Sequence, residues 1–284
     1  MSVYIGLDIG GTKLLVAAAN SDGNILRRIQ SPTPQDLNEG LDLLRAMAWK
    51  MADGEEILAI GAAAGGPLDW ENGVVSPLHQ PQWRDVPLRA IMEEEFDAPF
   101  AVDVDTNVAA LGEYRFGGYQ ANALVYLTLS TGMGGGFLVD GRLYRGKDGS
   151  HPEVGHQAIS YRGDFTSPII CDCGAEGCLE ALVSGNGIRR LYGKPAQELT
   201  GAEWNDVAYN LGQGLRNIAT FYAPDVIAIG GGVAVGGGEN LLGTAREVMA
   251  NGLKLVPAPE VRLSALGYDT ALYGTIALAM TLTE

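Results

Sequence analysis

The hydrophobic pattern alternates short β-rich runs with longer stretches of helical spacing. Residues 3–9, 14–19 and 25–29 read as three strands, joined through Gly10-Gly11-Thr12-Lys13 and then Asp22-Gly23. Leu41, Leu44, Met47, Ala48 and Met51 fall at helical intervals and predict a helix over 38–51. A strand at 57–63 runs into Gly65-Gly66-Pro67, and a helix at 87–96, a strand at 100–104 and a helix at 107–115 follow. The opening pattern then returns: a strand at 124–129, a glycine turn over Ser130–Gly136, a strand at 137–139, an Asp140-Gly141 turn and a strand at 142–144. The two copies lie about 120 residues apart and point to two related lobes. Downstream come a helix at 204–221 with Val207, Leu211, Leu215, Ile218 and Phe221 on one face, a strand at 226–229 opening into Gly230-Gly231-Gly232, a helix at 245–253, a strand at 261–265 and an Ala-rich helix at 269–282. This alternation of strands and helices defines an α/β protein.

Charge narrows the partners. The 284 residues carry 19 Lys+Arg against 34 Asp+Glu, a net charge of −15, which disfavours nucleic acid and anionic membrane surfaces. Backbone amides and a few local cations still permit a small anion such as a nucleotide. No apolar run reaches the ~18 residues of a membrane span, and the N-terminus lacks the basic region of a signal peptide, so a cytoplasmic protein is expected. The three cysteines fall within eight residues, at 171, 173 and 178. Such clustering points to a metal before a disulfide.

The 40 glycines concentrate where chemistry could occur. Three strands end in glycine clusters, at Asp8–Lys13, Ser130–Gly136 and Gly230–Gly232. Glycine lets backbone N–H groups close on phosphate oxygens, although tight hairpin turns would need the same residues. Neither GxxxxGK[ST] nor GxGxxG is present, which argues against P-loop enzymes and Rossmann dehydrogenases. Asp8 sits beside the first cluster, where it either caps its own turn or faces phosphate through Mg²⁺ and water. Asp105 follows a strand and precedes a helix, a position that favours its ionised form. It is either an N-cap or a general base.

Asp8-Ile9-Gly10-Gly11-Thr12-Lys13, Ser130-Thr131-Gly132-Met133-Gly134-Gly135-Gly136 and Cys171-Asp172-Cys173-Gly174-Ala175-Glu176-Gly177-Cys178-Leu179-Glu180 together resemble the ROK family of bacterial sugar kinases and repressors, within the actin/hexokinase/Hsp70 superfamily. The resemblance spans essentially the whole chain. It implies a two-lobed actin-like ATPase (ribonuclease H-like) fold with the active site in the interlobe cleft. The small lobe would comprise residues 1–117 and 268–284, and the large lobe 118–267 with the cysteine motif. The implied activity is phosphorylation of the primary hydroxyl of a hexose by ATP and Mg²⁺ in a homodimer, with lobe closure excluding water.

The resemblance assigns residues as well. Asp105 becomes the catalytic base, from Asp105-Thr106-Asn107-Val108-Ala109-Ala110-Leu111-Gly112-Glu113, with Asp103 as a competitor. Gly65, Gly66, Glu153, His156 and Glu180 become sugar contacts. Asp8 orients Mg²⁺, while Gly10, Gly11, Thr12, Lys13, Thr131 and Gly132 cradle phosphates and Gly231 and Gly232 lie against adenosine. A structural zinc falls on His156, Cys171, Cys173 and Cys178, a closed Cys₃His set. Three free cysteines beside an unrelated histidine, or a Cys–His nucleophile, are the competing readings.

Three departures touch the sugar. Val104 replaces an Asn that commonly precedes the base, and His79 stands for Asn in His79-Gln80-Pro81-Gln82-Trp83. His151-Pro152-Glu153 is similar to the fructokinase branch, whereas the cysteine motif has the glucokinase form. Glucose is the first expectation, then fructose, mannose and N-acetylmannosamine. The competing class, a sugar-sensing ROK regulator, carries a DNA-binding segment ahead of the first strand, which here begins at Val3.

Overall fold

The structure is a computed structural model and describes Ser2–Glu284. The chain divides into two compact units: the segment up to Gly118 with Lys147–Gly149 and Asp269–Glu284, and Tyr119–Gly146 with Ser150–Tyr268.

In the first unit, β1 (Ser2–Ile9), β2 (Lys13–Ala19) and β3 (Ile25–Pro32) form an antiparallel meander, followed by α1 (Leu37–Ala52) and β4 (Glu56–Ala64). A small sheet of β5 (Leu68–Asp69), β6 (Val74–Val75) and β7 (Val86–Pro87) precedes α2 (Leu88–Phe96), β8 (Phe100–Val104) and α3 (Asp105–Phe116). The main sheet runs β3-β2-β1-β4-β8, with β1, β4 and β8 parallel. Val3, Ile5, Leu7 and Ile9 share one core with Leu41, Leu44, Met47 and Met51 of α1, so alternation turns Tyr4, Gly6 and Asp8 to the opposite face. There the C-terminal helix (Thr270–Met280) and α3 pack against each other through Gly112 and Gly274. A Cβ on Gly112 would lie 2.6 Å from the Gly274 nitrogen, so only glycine allows that approach.

The second unit repeats the plan with β9 (Ala123–Leu129), β10 (Met133–Val139), β11 (Arg142–Leu143), β12 (Val226–Gly230) and β13 (Glu260–Leu263), in the order β11-β10-β9-β12-β13. Between its strands lie α4 (Glu180–Val183), α5 (Gly185–Tyr192), α6 (Gly201–Tyr222) and α7 (Gly232–Gly252). In both sheets the third, second, first, fourth and fifth strands lie side by side, and that shared order is the structural counterpart of the sequence repeat.

Three expectations shift. Gly134, Gly135 and Gly136 belong to β10, paired with Thr128, Leu127 and Tyr126, so the turn is only Ser130–Gly132. The helix expected over 245–253 starts at Gly232, because the glycine run continues into α7 with a non-helical residue at Gly238. Val207, Leu211, Leu215 and Ile218 are buried as expected, whereas Phe221 is 77% exposed. Among the described residues no helix is long and apolar enough to cross a membrane.

Candidate active site

The β1–β2 turn presents the first glycine cluster. The Gly10 amide donates to the Lys13 carbonyl at 3.0 Å, and Thr33 Oγ1 donates to the Gly10 carbonyl at 2.6 Å, which fixes a tight hairpin. Thr12 and Lys13 are exposed at its tip. Desolvation raises the carboxyl of Asp8 to about 6; Lys13 opposes the shift and the negative charge of Asp105 adds to it. Asp8 and Asp105 therefore act on one another at the end of this sheet. Two mutually repelling carboxylates are a donor set that a hard divalent cation relieves.

The two candidate bases separate clearly. Asp103 lies level with Ala63 on β4 and Asp8 on β1. It is buried, and its Oδ1 accepts from the Val104 amide at 2.8 Å and from Asn107 Nδ2 at 2.9 Å. The strand ends at Val104, and Asp105 becomes the first residue of α3, exposed, with Oδ1 accepting from the Thr106 amide at 2.7 Å. Asp103 thus secures the strand–helix junction while Asp105 meets solvent. Val104 is buried, and a Cβ on Gly66 would lie 3.8 Å from its Cγ1, so the Gly65-Gly66 loop passes over it. His79 is exposed yet backs onto the hairpin, where a Cβ on Gly11 would come within 3.0 Å of the His79 Cβ.

In the second unit the β9–β10 turn holds Ser130, Thr131 and Gly132, closed by a bond from the Ser130 amide to the Gly132 carbonyl at 2.9 Å. Gly231 lies behind it, with φ of 93° and no room for a Cβ against the Leu129 carbonyl. It caps α7 and places Gly232, which faces open space, at a helix N-terminus suited to a negatively charged ligand.

His156, Cys171, Cys173 and Cys178 converge, with one ligand atom from each within 4.8 Å of the others. Cys173 Sγ and Cys178 Sγ are 3.7 Å apart, as are Cys171 Sγ and His156 Nδ1. Tetrahedral zinc with Zn–S bonds of ~2.3 Å requires edges of roughly 3.8 Å, so the donor set fits the ion. Burial pushes the Cys178 thiol up to about 12 and raises Cys171, while the Ala175 amide holds Cys173 down. The Cys171 thiol, the one beside His156, is thereby a poor nucleophile, which disfavours a Cys171–His156 pair. His156 Nε2 faces away from the sulfurs, 3.8 Å from Glu153 Oε2, and His151 Nε2 lies 3.4 Å from Glu153 Oε1. A cavity of about 240 Å³ adjoins Glu153 and His156, walled by Ile218, Phe221 and Tyr222. Glu180, the remaining expected sugar contact, has Oε2 accepting from the Met133 amide at 2.8 Å and Oε1 3.7 Å from Cys171 Sγ.

Two α/β units built on the same strand order, each with an exposed glycine hairpin after its first strand, define an actin-like ATPase fold. The crystal structure of a ROK hexokinase from Thermus thermophilus superposes with a TM-score of 0.86 at 30% identity, covering 99% of each chain. That of a ROK family glucokinase from Streptomyces griseus, in complex with glucose and AMPPNP, gives 0.78 at 28% identity over 98% of this chain and 99% of that one. The glucokinase of Thermotoga maritima is 31% identical over 312 aligned positions, 96% of each protein. The sequence model of the ROK family matches residues 4–281, and the chain belongs to that family.

Proposed function

We propose that this protein is an ATP-dependent hexose kinase that phosphorylates the primary hydroxyl of glucose. The observation that carries the reading is the division of labour at the end of β8: Asp103 is consumed by the junction, which leaves Asp105 exposed and electrostatically linked to Asp8. Asp105 accepts the proton of the attacking hydroxyl, and its place in the first turn of α3 keeps it ionised. The amides of Gly11, Thr12, Thr131 and Gly132 donate to phosphate oxygens while the Gly10 amide closes its own turn on the Lys13 carbonyl, Lys13 adds a cation, and Gly231–Gly232 lie against the adenosine. Mg²⁺, held by Asp8 through water, supplies neutralisation of the phosphate charge. Glu153 and His156 Nε2 orient sugar hydroxyls, each carboxylate being able to accept from two of them. His156 Nδ1 and the three thiolates would hold zinc in a closed set of four ligands, which suits a structural role.

Fructose is the second reading, favoured by His151 of the fructokinase-like His151-Pro152-Glu153, whose Nε2 lies 3.4 Å from Glu153 Oε1. The enzyme is further proposed to be a cytoplasmic homodimer whose two compact units serve as the kinase lobes. ADP release measured over a panel of hexoses tests the activity: turnover on glucose supports it, and no turnover on any hexose refutes it.

A further inference from the structure

We infer that Glu180 is a positioning residue through which the zinc site sets the conformation of the Ser130–Gly132 phosphate hairpin, so that zinc governs nucleotide affinity as well as sugar contacts. The inference rests on the proposed zinc site and on that hairpin as a phosphate ligand. Three hydrogen bonds tie the hairpin to the segment that directly follows the last cysteine. Glu180 Oε2 accepts from the Met133 amide at 2.8 Å, the Gly185 amide donates to the Ser130 carbonyl at 2.7 Å, and the Asn186 amide donates to the Thr131 carbonyl at 3.0 Å. A Cβ on Gly132 would lie 3.1 Å from Glu180 Oε2, so the carboxylate also lies close beside the turn.

The other end of this segment is the metal cluster. Glu180 stands two residues after Cys178, and the intervening Leu179 is fully buried, with its amide donating to the Gln157 carbonyl at 3.0 Å. The Ala181 amide donates to the Cys178 carbonyl at 3.1 Å, so the turn from cysteine to glutamate is itself closed. His156, the fourth cluster residue, directly precedes Gln157. Cluster, carboxylate and hairpin therefore form one connected path of short links, buried at Cys178–Leu179 and open to solvent at the hairpin. Loss of the ion frees the Cys178 end of that path, and the Met133 amide loses the charged acceptor that orients it.

The test pairs hydrogen exchange with AMPPNP binding, without sugar, on zinc-loaded and chelated full-length protein. Zinc removal is expected to speed exchange of the Met133 amide at least tenfold and to weaken AMPPNP binding about tenfold. Glu180→Ala reproduces both effects in loaded protein, and chelation then adds little, since the two act on one path. Glu180→Gln, which keeps an acceptor oxygen, recovers most of the affinity. Gly185→Ala, whose new Cβ would sit 2.9 Å from the Ser130 carbonyl oxygen, weakens AMPPNP several-fold while zinc content stays unchanged. Unchanged Met133 exchange on zinc removal, or additive effects of chelation and Glu180→Ala, overturns the inference. If wild type binds no AMPPNP at all, the kinase reading fails, and the exchange data alone decide the positioning role.

Discussion

Asn107 Nδ2 donates to Asp103 Oδ1 at 2.9 Å across the first turn of α3, and both residues are buried. The same oxygen takes the Val104 amide, so the strand-to-helix corner that presents Asp105 hangs on Asp103. Replacing Asp103 with Ala strands these buried donors, at a cost of about 1–3 kcal/mol each. Asp103→Ala is expected to lower the melting temperature by several degrees and to reduce turnover with it. Asp105→Asn, at an exposed position, should leave stability within about 0.5 kcal/mol of wild type and the melting temperature close to unchanged. Thermal unfolding of the two variants separates structural from chemical carboxylate.

Asp8 provides a pH signature. Its carboxyl is raised from 3.8 to about 6 in the folded protein, so between those values the native state holds the proton more tightly than the unfolded chain. The contribution to stability is full below the lower value, falls as pH rises through the interval and is constant above it. In nucleotide-free protein without divalent cations, Asp8→Asn is therefore expected to be more stable than wild type at neutral pH, by on the order of 3 kcal/mol. The difference should shrink as pH falls and vanish near pH 3. A constant difference across the range would contradict the burial of that charge.

The metal cluster predicts stoichiometric zinc. Protein purified without chelator should contain one zinc per chain, and Cys178→Ser should lose it. A loss of roughly 3 kcal/mol in a domain of this size lowers the melting temperature by about 6–12 °C. Metal analysis that finds no zinc in wild type would rule out the Cys₃His site.

Gly231 tests the backbone argument. Its φ of 93° and its contact with the Leu129 carbonyl exclude a side chain. Gly231→Ala is expected to cost about 1–3 kcal/mol and to weaken nucleotide binding, whereas Gly232→Ala, which faces open space, should change stability far less. Equal effects from the two would show that the turn behind the hairpin is not constrained.

Much of this was legible in the chain because it is local. Alternation in β1 and helical spacing in α1 reproduce the buried sets, and cysteines seven residues apart need only one tight turn to meet. Two of the failures share a cause: glycine has no side chain to reveal a period. The run 134–136 therefore reads as a turn although it pairs with β9, and the run 236–238 hides the first turns of α7. The strands β5, β6 and β7 are two residues each, too short for any alternation to register. Asp103 and Asp105 differ in burial and in hydrogen bonding, neither of which their spacing reveals. The Glu180–Met133 bond joins positions 47 residues apart, and no spacing rule connects them.

The central claim is that Asp105 is the base of a hexose kinase. Steady-state ADP release with glucose, wild type against Asp105→Asn, tests it most directly. The account predicts turnover by wild type and a loss in kcat of at least about 10²-fold in the variant, with glucose still bound and the fold intact. An Asp105→Asn enzyme that turns over at the wild-type rate would contradict it.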